Sequence, residues 1–217
     1  MEYKIVKLFL KTDETVLSNV SRIRGFIGNE FKEYNVLHNH YGKNFVFTYP
    51  RVQFKQFNDS ILILGINEGG EVLKKISSDL NYLELDKKYK ITEKIIHESI
   101  FNIQPTPDEK HYKFVTPWIA LNTHNYQKFK KMNNWRNKKI LLNKILVGNI
   151  LSLSKGLGII VNKKLHAKSF LNEEYTIYKS VRMNSFNGEF KIHYDLPDYM
   201  GIGKGVSHGF GCVKKIK

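Results

Sequence analysis

The chain has 217 residues, 41% of them hydrophobic, and its 35 Lys and Arg outnumber 20 Asp and Glu for a net charge of +15. That apolar share excludes a disordered chain, and the length allows one large domain or two of about 100 residues each. The single cysteine, Cys212, excludes a disulfide framework or a cysteine zinc site within one chain, and the basic balance favours a polyanionic partner, nucleic acid before membrane.

The opening segment, MEYKIVKLFLKTDE, is interrupted by Lys4 and Lys7 and is unlike a signal peptide. No run of 18 apolar residues occurs, so no membrane span is expected and the compartment expected is the cytoplasm. Residues 3–10 read as a strand. Thr12 or Asp13 is a plausible N-cap for a first helix, whose apolar stripe is Val16, Val20, Ile23, Ile27, Phe31 and Tyr34. Arg22 and Arg24 lie off that stripe. Residues 36–44, VLHNHYGKN, form a polar connection, and Phe45 to Tyr49 reads as a strand limited by Pro50. Residues 61–66 read as a strand, 72–80 as a short helix and 83–91 as a strand. The order strand, helix, strand, strand, helix, strand is the ferredoxin-like order.

The second half is less regular. Residues 94–103 and 111–120 read as strands joined by the turn Pro105-Thr106-Pro107-Asp108. Residues 124–132 read as a short helix and 136–153 as a longer amphipathic one. Residues 175–194 read as a hairpin around Asn187-Gly188. The expected architecture is α+β, with two ferredoxin-like domains, 1–92 and 93–217.

The chain closes on GIGKGVSHGFG. Gly201-Ile202-Gly203 and Gly209-Phe210-Gly211 flank five residues, with Lys204 and His208 inside and Lys214 just beyond. Backbone N–H groups of such a loop suit an anion. A Walker A loop would end in Gly-Lys-Ser/Thr before a helix, and a dinucleotide fingerprint would need glycine where Val206 stands. The pattern of glycine, apolar residue, glycine, five residues, then glycine, apolar residue, glycine resembles that of the CRISPR-associated repeat-RNA endoribonucleases. These belong to the repeat-associated mysterious protein (RAMP) superfamily of ferredoxin-like proteins, and the archaeal and clostridial I-B subtype is the most similar. The resemblance covers most of the chain. It implies an endoribonuclease that cuts CRISPR precursor RNA within the repeat, by attack of the RNA's own 2′-hydroxyl. The products would carry a 2′,3′-cyclic phosphate and a 5′-hydroxyl. It also implies a catalytic histidine just after the first helix, where this chain has His38-Asn39-His40.

The residues support that chemistry. Two histidines at i and i+2 of an extended segment would lie about 6–7 Å apart on one side. One could serve as base at the 2′-hydroxyl and the other as acid at the leaving 5′-oxygen. Lys43 suits charge stabilisation at the phosphate and Tyr49 suits stacking or a phosphate hydrogen bond, although each is equally suited to a turn or to strand packing. Neither a metal site nor a cofactor is expected. Arg22, Arg24, Lys130, Lys131, Arg136 and Lys138 are candidate phosphate contacts, with Tyr126, Phe129 and Trp135 interleaved among the later ones. Gly201, Gly203, Lys204, His208, Gly209, Gly211 and Lys214 make up the candidate RNA-binding loop. The expected partner is single-stranded or repeat RNA, with a CRISPR effector complex and a second copy of the chain as further candidates. The rival reading is a non-catalytic RNA-binding subunit of the same superfamily.

Overall fold

The computed structural model describes residues 2–38, 40, 41, 44, 45, 49–57 and 60–216, without the side chains of 40, 41, 44 and 45. The elements in chain order are β1 (Glu2–Thr12), α1 (Val20–Glu30), a 3-10 turn (Asn35–Leu37), β2 (His40–Tyr41) and β3 (Asn44–Phe45). Then come β4 (Val52–Phe57), β5 (Ser60–Ile66), α2 (Glu68–Ser77), β6 (Tyr82–Glu84), β7 (Lys88–Asn102) and β8 (Gln104–Phe114). The last are α3 (Thr123–Lys131), α4 (Trp135–Leu157), β9 (Ala167–Tyr178), β10 (Val181–Asp195), a 3-10 turn (Val206–His208) and β11 (Val213–Lys215).

The chain divides into two compact units. The N-terminal unit holds residues 2–101 together with Ser207–Gly209; the C-terminal unit holds 102–206 and, of the described residues, 210–216. Residue 92, the expected boundary, lies inside β7. In the N-terminal unit the sheet order is β4-β5-β1-β7-β6, the ferredoxin-like arrangement with α1 and α2 as its two helices. Val6, Leu8 and Leu10 of β1 and Phe54 and Ile63 of β4 and β5 meet Ile23, Ile27, Leu73 and Ile76 of the helices in one core. In the C-terminal unit the order is β11-β8-β10-β9.

Five local expectations are corrected. The first helix is capped by Asn19, whose side chain accepts from the Arg22 N–H, and not by Thr12 or Asp13. Val16 belongs to the core but precedes the helix. Of the strand expected at 45–49, Phe45 lies in β3, residues 46–48 lie outside the described residues and Tyr49 lies outside any strand; a longer strand, β4, follows Pro50. Pro105 and Pro107 lie within β8 rather than at a turn, on a stretch that β11 does not reach, since β11 pairs only with Tyr112–Phe114. A proline there removes no hydrogen bond from that side. Finally, the hairpin of β9 and β10 turns at Lys179 and Ser180, with φ of 49° and 63°, while Asn187 pairs mid-strand with Asn172. Gly188 is glycine because a Cβ there would lie 2.2 Å from the Phe170 carbonyl oxygen.

Helix α4 is long and apolar enough to cross a membrane by length and composition alone. Its Leu142, Ile145, Leu146, Ile150, Leu153 and Leu157 are buried, and it packs on β9 as a core helix.

Candidate active site and RNA interface

The N-terminal unit gathers three polar side chains along α1. Ser21 and Arg24 sit one turn apart, facing His208, which the chain supplies from its far end. The His208 Nδ1 lies 2.9 Å from Ser21 Oγ, and its Nε2 lies 3.4 Å from Arg24 Nη1. Arginine has only donors, so Nε2 faces it as the lone-pair nitrogen of the neutral ring and Nδ1–H donates to the serine. The other arm of the guanidinium, Nη2, donates to the His38 carbonyl oxygen at 2.9 Å. Arg24 thus ties the segment after α1 to the glycine loop's histidine.

His38 is half-buried at the end of the 3-10 turn. Its Nε2 lies 2.6 Å from the Gly28 carbonyl oxygen. A carbonyl only accepts, so Nε2 carries the proton and Nδ1 is the lone-pair nitrogen of the neutral ring. The ring lies against Gly28: a Cβ there would stand 2.6 Å from His38 Cε1 and 3.0 Å from Nδ1. Two helix-derived contacts therefore fix His38, one on its ring and one on its backbone. The residue has φ −99° and ψ −18°, a helical conformation. The extended geometry expected of residues 38–40 does not hold at His38. His40 opens β2, paired with Phe45. Lys43 lies outside the described residues, and Tyr49 is half-buried in the connection before β4.

The glycine loop has packing reasons for its composition. Gly201 forms a bridge with Cys212, and Ile202 N–H donates to the Gly211 carbonyl at 2.9 Å. Gly211 has φ +63°, and a Cβ on it would fall 1.9 Å from the Ile202 oxygen. At Gly203, φ +90°, a Cβ would meet Trp118 Nε1 at 2.6 Å. In the N-terminal unit, a Cβ on Gly209 would come 3.2 Å from Val20 and 3.3 Å from the Phe54 carbonyl oxygen. Beside Gly203 and Lys204 a cleft of about 500 Å³ opens along α4, lined by Asn122, Asn125, Lys144 and Asn149. Asn149 accepts from Trp118 Nε1 at 3.1 Å.

The Cas6b N-terminal domain family matches residues 1–102, and the Cas6b C-terminal domain family matches residues 104–216. The chain belongs to the Cas6b family. A solved structure described as a crystal structure of Cas6b is 33% identical, with TM-score 0.91 over 100% of both chains. Another, of a CRISPR RNA processing endoribonuclease Cas6b, is 31% identical, with TM-score 0.79 over 100% of both chains. An uncharacterized protein of Methanocaldococcus jannaschii is 47% identical over 107 residues, 49% of this chain and 72% of that one. A Cas6 product complex, 12% identical with TM-score 0.63 over 99% of this chain and 100% of that one, shares the fold. The resemblance read from the glycine loop is therefore the family itself, and the enzyme class expected is the one its solved relatives carry.

The expected contact residues of this Cas6b protein fall in separate places. Arg24 and His208 touch; Arg22 is exposed on the same helix, with its backbone N–H capped by Asn19. Lys130 and Lys131 are exposed at the end of α3 and Arg136 at the start of α4. The Lys138 ammonium lies 4.5 Å from the Phe129 ring centre and 6.0 Å from that of Trp135. Lys204 lies over Tyr178 and Lys214 over Tyr199, at 5.6 and 5.7 Å. Ser21 and Gly28 escaped sequence reasoning. A serine on a helix face and a glycine within a helix carry no signal of a histidine that arrives from elsewhere.

Proposed function

We propose that this Cas6b protein is a metal-independent endoribonuclease that cuts CRISPR precursor RNA within the repeat. The 2′-hydroxyl oxygen attacks the adjacent phosphorus and the 5′-oxygen leaves, giving a 2′,3′-cyclic phosphate and a 5′-hydroxyl. The observation that carries this reading is the ring of His38, fixed by its Nε2–H on the Gly28 carbonyl. A histidine oriented through one nitrogen offers the other as a positioned base. His38 takes the 2′-hydroxyl proton at Nδ1, His40 returns one to the 5′-oxygen, and Lys43 and Tyr49 hold the phosphate. Arg24, His208 and the glycine loop bind RNA, while Arg22, Lys130, Lys131, Arg136, Lys138, Lys204 and Lys214 contribute charge. The work is done in the cytoplasm, and the product is suited to delivery to a CRISPR effector complex. Light scattering distinguishes a monomer from a homodimer.

The test is purified protein with labelled repeat RNA in excess EDTA. Cleavage is expected to persist, and a single 2′-deoxy substitution at the cut site should stop it while binding survives, since most affinity comes from phosphates. If chelation abolishes cleavage and a divalent ion restores it, the mechanism is wrong. Tight binding without any cut would favour the non-catalytic subunit.

A further inference from the structure

A second cleft, of about 310 Å³, lies on the C-terminal unit between the start of α4 and β9. Its walls are Trp135 and Phe170, which are 44% and 57% exposed. Its floor is Leu142, Leu171 and Ser169, all buried. Ser169 makes no demand on a ligand, because its hydroxyl and its N–H both donate to Asn143 Oδ1, at 2.6 and 2.9 Å. At the lip stand Asn172, with an exposed amide, and Lys139, whose ammonium lies 4.3 Å from the Phe170 ring centre. Lys138 is next in the chain, Arg136 is exposed one turn back, and Lys168 is exposed on β9. Trp135 is held edge-on by the buried Phe129 at 6.4 Å and 82°.

Two exposed aromatic rings over an apolar floor, with a lysine and an amide at the lip, make a poor surface to leave in water. They suit one class of occupant. An unpaired nucleobase stacks on aromatic faces, its edge bonds to an amide, and its phosphate pairs with lysine. The volume is at the lower end of small-ligand sites, about 300–1,000 Å³, which suits one nucleotide rather than a helix or a peptide. We propose that the Trp135–Phe170 cleft binds one unpaired nucleotide of the RNA, its base between the two rings and its phosphate on Lys139. On entry the Lys139 ammonium turns from the Phe170 face to the phosphate. This rests on the RNA-binding reading above, but it names a second site, built from residues that neither the histidine site nor the glycine loop uses.

The chain has two tryptophans, and Trp118 is buried, so Trp135 is the fluorescent reporter a ligand can reach. Titration with a short oligoadenylate should quench it. An abasic ribose-phosphate chain of equal length should not. Since stacking contributes about 1–3 kcal/mol per base, Phe170→Ala should weaken oligoadenylate binding by roughly 5- to 150-fold. Lys139→Ala should weaken it less and reduce its salt dependence. Equal affinity for the abasic chain, or quenching unchanged in Phe170→Ala, overturns the proposal. Cleavage of repeat RNA by the same preparations, run in parallel, separates the two ideas. Cutting with no quench leaves the enzyme standing without this site, and quench with no cutting leaves the site without the enzyme.

Discussion

Gly28→Ala is expected to separate activity from stability. The added Cβ would lie 2.6 Å from His38 Cε1, and carbon atoms rest at about 3.5–4.0 Å, so the ring must retreat by about 1 Å. Its 2.6 Å bond to the Gly28 carbonyl would then exceed about 3.5 Å and be lost. Losing that bond costs about 1 kcal/mol, while alanine in place of glycine favours the helix by a similar amount. Tm should therefore stay within a few degrees. A misplacement of about 1 Å at a catalytic group can cost about 10²-fold in rate, and that loss is expected here. Gly25→Ala is the control: it sits on the same helix, and a Cβ on it meets nothing within 4 Å. It should gain slightly in Tm and keep its rate. The assay is single-turnover cleavage of labelled repeat RNA, with thermal melts and a pH–rate profile. A Gly28→Ala rate within a factor of two of wild type would refute the role given to His38, as would equal losses in both variants.

Three further outcomes are expected. Gly211→Ala should lower Tm by about 10 °C or more, because its Cβ falls 1.9 Å from a backbone oxygen at φ +63°, whereas Gly148→Ala, with open space around it, should not. The Tyr112 hydroxyl is pushed above its ordinary pKa of 10.0, first by burial; its proton is held towards the Tyr194 carbonyl and Asp195, and it accepts from Leu196 N–H. Stability from the neutral hydroxyl is complete below pH 10 and is lost as pH rises above it, so Tyr112→Phe should be destabilised at neutral pH by about 1–3 kcal/mol and show a flatter alkaline decline in urea melts. RNA affinity should fall linearly on a logarithmic salt axis, by about 0.7 per phosphate contacted, and a flat response in filter binding would deny charge its part.

The N-terminal order was legible because β1, β5, α1 and α2 each bury one clear apolar pattern. β4 was not read, although Val52, Gln53, Phe54 and Lys55 alternate, and the burial of its polar members Gln53 and Lys55 is set by tertiary packing that no local pattern shows. The prolines of β8 and the glycine of β10 looked like turns because their tolerance depends on which neighbours pair with them, and that is not local information. Of the candidate site, His38 was nominated by the family resemblance, from its place after the first helix. The partners of the two histidines were not: Gly28 is ten residues before His38, and Ser21 is 187 residues from His208. The glycines were noticed for their conformational freedom, yet most of them are required by contacts with Trp118, Ile202 and Val206.

That 187-residue span sets an order of events during synthesis. Residues 2–101 leave the ribosome first, but Ser21 and Arg24 wait for His208, the part of the same compact unit that is made much later. A half-made chain holds His38 and its helix without the histidine that Arg24 bridges to it. The nascent protein thus lacks part of the RNA grip proposed for it until His208 has been made.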